Sequence, residues 1–398
     1  MNILIVSPGI YPVPAIKGGA VENLIEILIK NDEITKKHNI TVYTVYNDDI
    51  EKITKNIHCS FRYIKTKSIK YQMQRVVIHM INCFSQRYIG NQYINKVKKD
   101  IKKSGKAYDI IIVENEPQYG LILKEVKQNA KMILHLHNDY LNRNVLNANK
   151  MYDAYDRIWA ISKFIGNRVN KLENQNQKQK VKILYNGVDT EKFDITDRKK
   201  GEGRKKYNLT ENNFVFMYAG RIAKEKGIEE LIEAFSKLNK KNAKLLIIGG
   251  KQKGQERFYK KIMREISRNR NIIYAGYIDY EHLYEVYNIA DVGIIPSVCN
   301  EAFGLTAIEF MNLGKPIIIS DKGALKEISG TGKNVSIVPC NDEFVDNLKN
   351  EMIYFLNLEK DKFIDINRKS IDRAKKYTKD IYVKNFLALV EEEKNEKK

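Results

Sequence analysis

Two glutamates stand eight residues apart in the stretch NEAFGLTAIEF, where a helix is predicted to begin near Phe303 or Gly304. Acids that pair on one helix face are three or four residues apart, so Glu301 and Glu309 do not form a surface pair. An ionised carboxylate only accepts hydrogen bonds, and it can hold a vicinal diol through two short, charge-assisted ones. The spacing favours two acids that hold different hydroxyl groups of one ligand. The alternative is a capping acid at Glu301 and a solvent-facing helix acid at Glu309.

Groups that attract negative charge accompany these acids. The free N–H groups and the positive dipole end of a helix that begins at Gly304 make an anion site, which favours phosphate. Arg221 and Lys226 lie in a glycine-bracketed loop between a strand and a helix, where a guanidinium and an ammonium can neutralise a diphosphate. The alternative is that both are solvated loop residues of a basic protein.

The first half of the chain carries two further candidates. Gly18 and Gly19 precede a helix in PVPAIKGGAVENL and permit a close backbone approach to phosphate, or they simply form a turn. His137 ends the apolar run KMILHLH and either polarises a sugar hydroxyl or packs as a satisfied histidine. The six histidines show no HExxH pattern, and His135 is only a near neighbour of His137, so we predict no metal site.

The elements that must position these residues are short β-branched runs alternating with helical periodicity. Predicted strands cover residues 2–7, 40–46, 108–114, 131–137, 157–162 and 182–186 in a first series, and 214–220, 243–250, 271–278, 292–297 and 316–320 in a second. Several are apolar on both faces, as parallel strands covered on two sides must be. We predict an α/β chain of two Rossmann-like doubly wound domains facing across a cleft.

The predicted division follows the junction YNGVDTEKFD. A first Rossmann-like domain covers residues 1–186 and a second covers 187–370. Residues 371–398 are predicted to form a C-terminal helix that packs back toward the first domain. In such folds ligands bind at the carboxyl ends of the strands, and the candidate residues of both halves follow predicted strands.

Composition limits the class of protein. The 398 residues are 43% hydrophobic and 30% charged, which suits a soluble chain with two cores. Four cysteines without a CxxC pair argue against a zinc site or a disulfide framework and suit a reducing cytoplasm. We see no signal peptide and no run of about 18 apolar residues, so we expect a cytoplasmic protein.

The net charge of +20 is concentrated in one segment. Residues 52–106 hold fourteen Lys and Arg against one acid, Asp100. Apolar residues between Met73 and Phe84 recur there at helical spacing, and a basic amphipathic helix suits an anionic membrane surface. One alternative is a core-facing helix with a solvated basic back. Nucleic-acid binding would need stacking aromatics, for which little else in the segment argues, so we expect no nucleic-acid partner.

The order of these motifs resembles the retaining glycosyltransferases of family four, which have the GT-B fold of two Rossmann-like domains. The resemblance covers nearly the whole chain: a KGGA-type loop, HND, the NGVD junction, GR-x4-KG, and an E-x7-E block with NLGKPIIISD. The PVPAIKGGAVE opening is similar to bacterial polysaccharide and spore-coat members. The last block is the most specific, with these residues in register: Glu301, Phe303, Gly304, Glu309, Gly314 and Pro316.

The resemblance implies a role for each candidate residue. Glu301 would hold the hydroxyls of the donor sugar and Glu309 those of the nucleotide ribose. Arg221 and Lys226 would bind the diphosphate, and His137 would face the donor sugar from the first domain. The other implied donor-binding positions are Gly18, Gly19, Phe303, Gly304, Leu305 and Thr306.

The resemblance also implies a reaction. A sugar would pass from a nucleoside-diphosphate sugar, expected to be UDP-linked, to a glycan or lipid-linked acceptor held by the first domain, in bacterial cell-surface polysaccharide synthesis. Retention would need no cofactor, no metal and no protein nucleophile, because the departing diphosphate oxygen takes the acceptor proton. The enzyme would work in the cytoplasm, with the inner membrane face as a docking surface for 52–106.

Other functions of the same fold stay open. They are a sugar-nucleotide epimerase, a phosphorylase, and a catalytically inactive partner that binds sugars or membrane. A dehydrogenase is disfavoured, because no GxGxxG follows the first strand of either series.

Overall fold

The apolar runs of the sequence form two parallel β-sheets, each the centre of its own compact unit. The computed structural model describes residues 1–66, 88–172, 180–190, 197–279 and 282–396. The first unit comprises Met1–Gly187 together with Asp380–Lys398, and the second comprises Val188–Lys379. The amphipathic helix predicted between Met73 and Phe84 lies outside the described residues.

The sheet of the first unit has seven parallel strands in the order β3-β2-β1-β4-β5-β6-β7. The strands are β1 Asn2–Val6, β2 Asn39–Val45, β3 Ser60–Ile64, β4 Ile110–Glu114, β5 Lys131–Leu136, β6 Arg157–Ala160 and β7 Val181–Ile183. The central strand β4, IIIVE, is buried at every position, as a parallel strand covered on both faces requires.

The second unit repeats this order in a sheet of six parallel strands, β10-β9-β8-β11-β12-β13. The strands are β8 Phe214–Ala219, β9 Ala243–Ile248, β10 Ile272–Gly276, β11 Val292–Ile295, β12 Ile317–Ser320 and β13 Val335–Val338. In both sheets the chain starts centrally, winds outward to one edge and then crosses to the other side. The prediction of two Rossmann-like doubly wound α/β domains is confirmed.

Helices connect the strands. In the first unit they are Ala20–Lys30, Asp32–Lys37, Ile50–Thr54, Gln92–Ser104, Gly120–Leu123, Ala148–Asp153, Lys163–Asn170 and the C-terminal Lys379–Asn395. In the second unit they are Asp197–Lys206, Ile228–Leu238, Glu256–Ser267, Leu283–Tyr287, Leu305–Asn312, Leu325–Ser329, Phe344–Leu356 and Lys360–Ala374. Within the described ranges, short 3₁₀ turns cover Pro117–Tyr119, Lys224–Lys226 and Lys375–Tyr377. None of the described helices is long and apolar enough to cross a membrane.

Strands β3 and β13 and the helix Asp197–Lys206 are among the elements that were not predicted. Strands β3 and β13 are edge strands with partly exposed positions, so neither carries the continuous apolar run of a central strand. Residues 197–213 read as a polar, charged stretch, yet Asp197–Lys206 forms a helix. The boundary predicted at residue 371 falls inside helix Lys360–Ala374, and the chain returns to the first unit at Asp380.

The C-terminal helix contributes to the core of the first unit. Tyr382, Phe386 and Val390 are buried in the same cluster as Ile3 of β1 and Trp159 of β6. The rings of Trp159 and Phe386 meet edge to face with centroids 5.7 Å apart. An aromatic pair in this geometry adds about 0.5–1.5 kcal/mol to the burial of its area.

A charge cluster fixes the end of this helix. Glu393 is only 1% exposed, and its carboxylate accepts hydrogen bonds from Lys131 Nζ at 2.9 Å and Arg157 Nε at 3.1 Å. Glu396 pairs with the same two bases, and Glu392 pairs with Lys182 at 2.7 Å. Pairing and hydrogen bonds of this kind offset the cost of burying a carboxylate.

We expect Glu393→Ala to lower the free energy of unfolding of the first unit by about 3 kcal/mol, because it leaves two partly buried bases with Glu396 as their remaining carboxylate partner among the described residues. The chain has a single tryptophan, Trp159, which packs on the same helix. Urea unfolding followed by its fluorescence therefore reports on this unit alone.

The matched control is Glu391→Ala on the exposed side of the helix. Glu391 pairs with Lys394 at 3.8 Å in solvent, so its loss should change the unfolding free energy by less than about 0.5 kcal/mol. Equal midpoints for the two variants would show that the cluster does not anchor the helix.

Candidate functional site

Two loops at the carboxyl edge of the second sheet are joined by backbone hydrogen bonds. The turn Lys224–Lys226 follows β8, and the loop that contains Glu301 follows its neighbour β11. The amides of Val298 and Cys299 donate to the carbonyl oxygen of Glu225, at 3.1 and 3.2 Å. This pairing holds the residues predicted to bind a diphosphate and a sugar against each other.

Glycine makes this close approach possible. Gly227 ends the turn with φ +67°, and a Cβ at that position would lie 1.9 Å from the carbonyl oxygen of Pro296. Any side chain would therefore force the two loops apart in addition to straining the backbone.

Lys226 and Glu301 form an ion pair. Lys226 Nζ lies 2.6 Å from Glu301 Oε1, and both side chains are largely buried. The same carboxylate oxygen accepts a short hydrogen bond from the Ser297 hydroxyl. The structure thus brings together two predicted site residues that are 75 positions apart and adds Ser297 to them.

Arg221 is not part of this pair. Its guanidinium donates to Gln252 Oε1 at 2.6 Å and lies 3.8 Å from Glu225, and its side chain is 55% exposed. Arg221 and Gln252 follow the adjacent strands β8 and β9. An exposed guanidinium at the carboxyl edge of the sheet can reach an anionic ligand without losing a buried partner.

Helix Leu305–Asn312 begins next to the predicted start near Phe303 or Gly304, with Gly304 as its N-cap. Gly304 has φ +102°, a conformation that side chains rarely adopt, and a Cβ there would lie 2.7 Å from the Leu325 side chain. No side chain caps the helix, and Leu305 and Thr306 are partly exposed. The helix therefore presents amide groups at its N-terminus, where an anion is favourable.

Phe303 has a different position from the rest of this motif. Its ring is buried and meets Tyr377 edge to face with centroids 5.7 Å apart. The side chain is a packing group that fixes the turn into the helix, so any donor contact of Phe303 falls to its backbone.

Glu309 is a buried carboxyl group with a single hydrogen-bond partner among the described residues. It is 7% exposed, and Oε2 accepts a hydrogen bond from the Tyr287 hydroxyl at 3.0 Å. The Tyr287 ring is stacked on Phe310 at 4.6 Å, which orients that hydroxyl. Burial raises the pKa of Glu309 to about 7, and the hydrogen bond from Tyr287 offsets only part of this effect.

His137 lies in the first unit, at the carboxyl end of β5. Its Nε2 is 2.8 Å from Glu114 Oε2, and its backbone amide donates to the Asn115 side chain at 3.0 Å. Burial, together with the neighbouring His135 ring, lowers the pKa of His137 to about 4. The imidazole is therefore neutral at pH 7 and held by a carboxylate, and its predicted role toward a sugar stays a prediction.

His135 and His137 are more than near neighbours in sequence, and the prediction of no metal site stays a prediction. Polar atoms of Glu114, His135 and His137 lie within 4.8 Å of one another. The 2.8 Å between His137 Nε2 and Glu114 Oε2 is a hydrogen-bond distance, and it is shorter than the roughly 3.3 Å between two tetrahedral ligands of a metal. Burial would raise the pKa of Glu114, but the two histidines lower it and keep it ionised.

Gly18 and Gly19 lie between β1 and helix Ala20–Lys30, with φ values of +70° and +111°. The carboxylate of Glu22, buried in the first turn of that helix, lies so close that a Cβ on Gly19 would be 2.2 Å from Glu22 Oε2. Burial raises the pKa of Glu22. An acid in this position competes with a phosphate for the same helix end, and phosphate binding by this loop stays a prediction.

Known proteins match both units. A model of the family described as glycosyl transferases group 1 matches residues 199–377, and a model of glycosyltransferase family 4 matches residues 34–192. The chain belongs to the family-four glycosyltransferases. The group 1 match contains Arg221, Lys226, Glu301 and Glu309, and the family 4 match contains His137.

Several relatives of this family-four glycosyltransferase are known. The lipopolysaccharide 1,2-N-acetylglucosaminetransferase of Salmonella typhimurium is 28% identical over 60% of this chain and 62% of its own length. Spore coat protein SA of Bacillus subtilis is 23% identical over 85% of each chain. The capsular polysaccharide biosynthesis glycosyltransferase CapM of Staphylococcus aureus is 30% identical over 48% of this chain and 50% of its own. The matches to the Salmonella enzyme and to CapM thus span less than two thirds of those proteins.

Solved structures show the same fold. HepE from Anabaena, crystallised with UDP and glucose, has a TM-score of 0.75 at 16% identity and covers 98% of this chain and all of its own. A glycosyltransferase from Rickettsia africae has a TM-score of 0.74 at 20% identity, with 98% of each chain covered. At such identities the likeness shows the fold alone, which is that of the GT-B glycosyltransferases.

Sequence reasoning missed four side chains that contact the predicted site residues of the glycosyltransferase. They are Ser297 at Glu301, Tyr287 at Glu309, Glu114 at His137, and Glu22 at the Gly18–Gly19 loop. Only Glu114 left a usable signal, since it ends an apolar strand as an isolated acid. The other three contacts depend on loop and helix packing that spacing does not reveal.

The raised pKa of Glu309 gives a pH-dependent stability with a defined sign. The folded chain holds this proton more tightly than the unfolded chain, so the stabilisation is complete below about pH 4.5 and is lost as the pH rises through about 7. The glutamine of Glu309→Gln cannot ionise. The free energy of unfolding of this variant, relative to that of the wild type, should therefore rise by about 3 kcal/mol between about pH 5 and about pH 8. Urea unfolding followed by far-UV circular dichroism measures the difference.

An exposed glutamate of the same unit supplies the control. Glu211→Gln should track the wild type at both pH values, since the side chain is exposed in both the folded and the unfolded chain. If Glu309→Gln behaves like Glu211→Gln, then Glu309 does not bear the burial cost that its position indicates.

Proposed function

We propose that this glycosyltransferase transfers a sugar, with retention of configuration, from a UDP-linked donor to a glycan or lipid-linked acceptor of a bacterial cell-surface polysaccharide. The observation that carries the proposal is the Lys226–Glu301 ion pair at the carboxyl edge of the second sheet. It stands in the segment that matches the group 1 model. The names of the Salmonella and Staphylococcus relatives support a bacterial polysaccharide or lipopolysaccharide acceptor, and the HepE complexes support UDP.

The charges of the second unit suit a donor of this kind. Arg221, Lys226 and the uncapped helix that starts at Leu305 supply positive charge and amide donors for a diphosphate. Glu301 and Glu309 supply the acceptors that hydroxyl groups need. In the proposed complex Lys226 would share its charge between Glu301 and the diphosphate, so the ion pair would hold the ammonium ready and limit the reorganisation on binding.

Retention without a protein nucleophile suits these residues. The proposed leaving group is a diphosphate whose oxygen takes the acceptor proton, so the protein would act by position and by stabilising charge. Arg221 and Lys226 would stabilise the charge that develops on the diphosphate. The neutral His137 ring would present no competing positive charge in the first unit.

We expect Glu309→Ala to lower kcat/KM for the donor by about 10- to 150-fold, because one hydrogen bond to a charged group contributes about 1.5–3 kcal/mol. Glu301→Ala should lower turnover while UDP still binds, since this acid is assigned to the sugar. A UDP-release screen across UDP-glucose, UDP-galactose and UDP-N-acetylglucosamine, with and without bacterial membrane extract, measures turnover. Isothermal calorimetry measures UDP binding.

Glu343→Ala is a suitable control, because this exposed glutamate of the same unit is outside the proposed site. Wild-type turnover in both the Glu301 and the Glu309 variants would refute the donor assignment. A product that keeps the sugar on the nucleotide in an altered form would identify an epimerase.

We also propose that the acceptor is met at an anionic membrane surface. Helix Gln92–Ser104 buries Tyr93, Ile94, Val97 and Ile101 in the first unit. The apolar side of this helix therefore faces the core, as in the alternative given in the sequence analysis. Its opposite face exposes Lys96, Lys99, Lys102 and Lys103. Such a face would dock by charge without insertion, at about 1 kcal/mol for each base near the surface.

Replacing Lys99, Lys102 and Lys103 by glutamate should abolish flotation with phosphatidylglycerol-containing liposomes at low salt. The control carries the same charge change at three exposed lysines of the second unit, Lys240, Lys241 and Lys253. Salt should release the wild type, because surface charges are screened beyond a Debye length of about 8 Å at physiological ionic strength. Equal flotation of both triple variants would exclude this face as the docking surface.

A further inference from the structure

The loop after β4 is fixed at the carboxyl edge of the first sheet. Asn115 adopts φ +59°, a left-handed conformation that turns the chain away from the strand. Its amide donates to the carbonyl of His135 at 2.8 Å, and its side chain accepts the amide of His137 at 3.0 Å. The loop is therefore pinned to the end of β5, beside the histidine predicted to face the donor sugar.

Two buried tyrosines hold the next part of the loop. The hydroxyl of Tyr155 donates to the carbonyl of Pro117 at 2.9 Å and accepts the amide of Gly120 at 2.9 Å. The hydroxyl of Tyr119 donates to the carbonyl of Pro8 at 2.8 Å, which ties the loop to the segment after β1. The backbone between these anchors has little freedom to move.

Glu116 is the exception in this network of satisfied groups. Its side chain is partly buried, and no hydrogen bond or ion pair with the described part of the chain satisfies its carboxylate. Burial alone raises its pKa to about 7. The carbonyl of Glu116 accepts the amide of Tyr119 at 2.9 Å and also the hydroxyl of Tyr155 at 3.3 Å, so its backbone is fixed beside these two buried residues.

A carboxylate that has no partner in the described part of the chain, on a loop that is held rigidly, suits a ligand rich in hydrogen-bond donors. It is an acceptor-only group, so it needs donors such as the hydroxyl groups of a sugar. Leaving such a group partly desolvated costs free energy that a bound ligand would recover. The rigid loop supplies the preorganisation that makes one charge-assisted hydrogen bond effective.

We propose that Glu116 binds hydroxyl groups of the acceptor sugar in the first unit. This inference rests on the proposed function, since it assigns a position to the acceptor of that transfer. Glu116 belongs to none of the motifs that carried the family resemblance. It lies in the first unit, whereas Glu301 and Glu309 lie in the second. It therefore predicts a defect in acceptor use that leaves the nucleotide site intact.

The test compares Glu116→Gln, Glu116→Asp and the wild type in UDP release. The donors are UDP-glucose, UDP-galactose and UDP-N-acetylglucosamine, and the acceptors are a panel of p-nitrophenyl glycosides and a bacterial glycolipid extract. We expect Glu116→Gln to raise the acceptor KM about tenfold or more, because a charge-assisted hydrogen bond becomes a neutral one. Glu116→Asp should recover part of the loss, and the UDP Kd should not change in either variant.

Glu125→Gln is the matched control, because Glu125 is an exposed acid of the same unit that pairs with Lys98. The inference is overturned if the acceptor KM of Glu116→Gln equals that of the wild type. It is also overturned if no transfer to any glycoside or to the glycolipid extract depends on Glu116. An equal rise in acceptor KM for the glutamine and aspartate variants, with both less stable in Trp159 fluorescence, also overturns it in favour of a structural role. A wild type that neither binds UDP nor releases it from any donor would instead refute the proposed function.

Discussion

Parallel strand pairing is the constraint on which the rest of the structure depends. Parallel neighbours are joined by crossovers, so every strand of a sheet ends at the same edge and its following loop meets the loops of its neighbours. In the second unit this brings the turn Lys224–Lys226 after β8 against the loop that follows β11. In the first unit it brings Asn115, after β4, against His137, after β5. Charged groups that are distant in sequence meet because their loops leave the sheet at the same edge.

Three buried carboxylates of this chain have different surroundings. Glu393 is matched by Lys131 and Arg157, so its charge contributes to the anchoring of the C-terminal helix. Glu114 is matched by two imidazoles, which orients the His137 ring. In the part of the chain that the structure describes, Glu309 has the Tyr287 hydroxyl as its one hydrogen-bond partner and no cation beside it. Proteins retain a costly group of this kind where a ligand completes its environment, which is why perturbed acids cluster at functional sites.

Much of the fold was predictable from the sequence, because central parallel strands need unbroken apolar runs. The run FVFMYA became β8, and Ile228–Leu238 became a helix with Leu231, Phe235 and Leu238 on its buried face. Edge strands such as β3 have one side open to solvent and lack this signal. The types of the candidate site residues were also readable, since a diphosphate needs cations and amides while diols need carboxylates.

The sequence by itself determined the two-sheet α/β architecture and the chemical inventory of the second unit, because periodicity and residue type are local properties. Only the tertiary structure decided which groups are partners. That Glu301 meets Lys226 and Ser297, that Tyr287 satisfies Glu309, and that Phe303 packs inward follow from loop and helix contacts between distant residues. The same holds for Glu114, which meets His135 and His137 only because β4 and β5 pair in one register. Spacing along a chain cannot encode that register, since it is set by packing of the whole sheet.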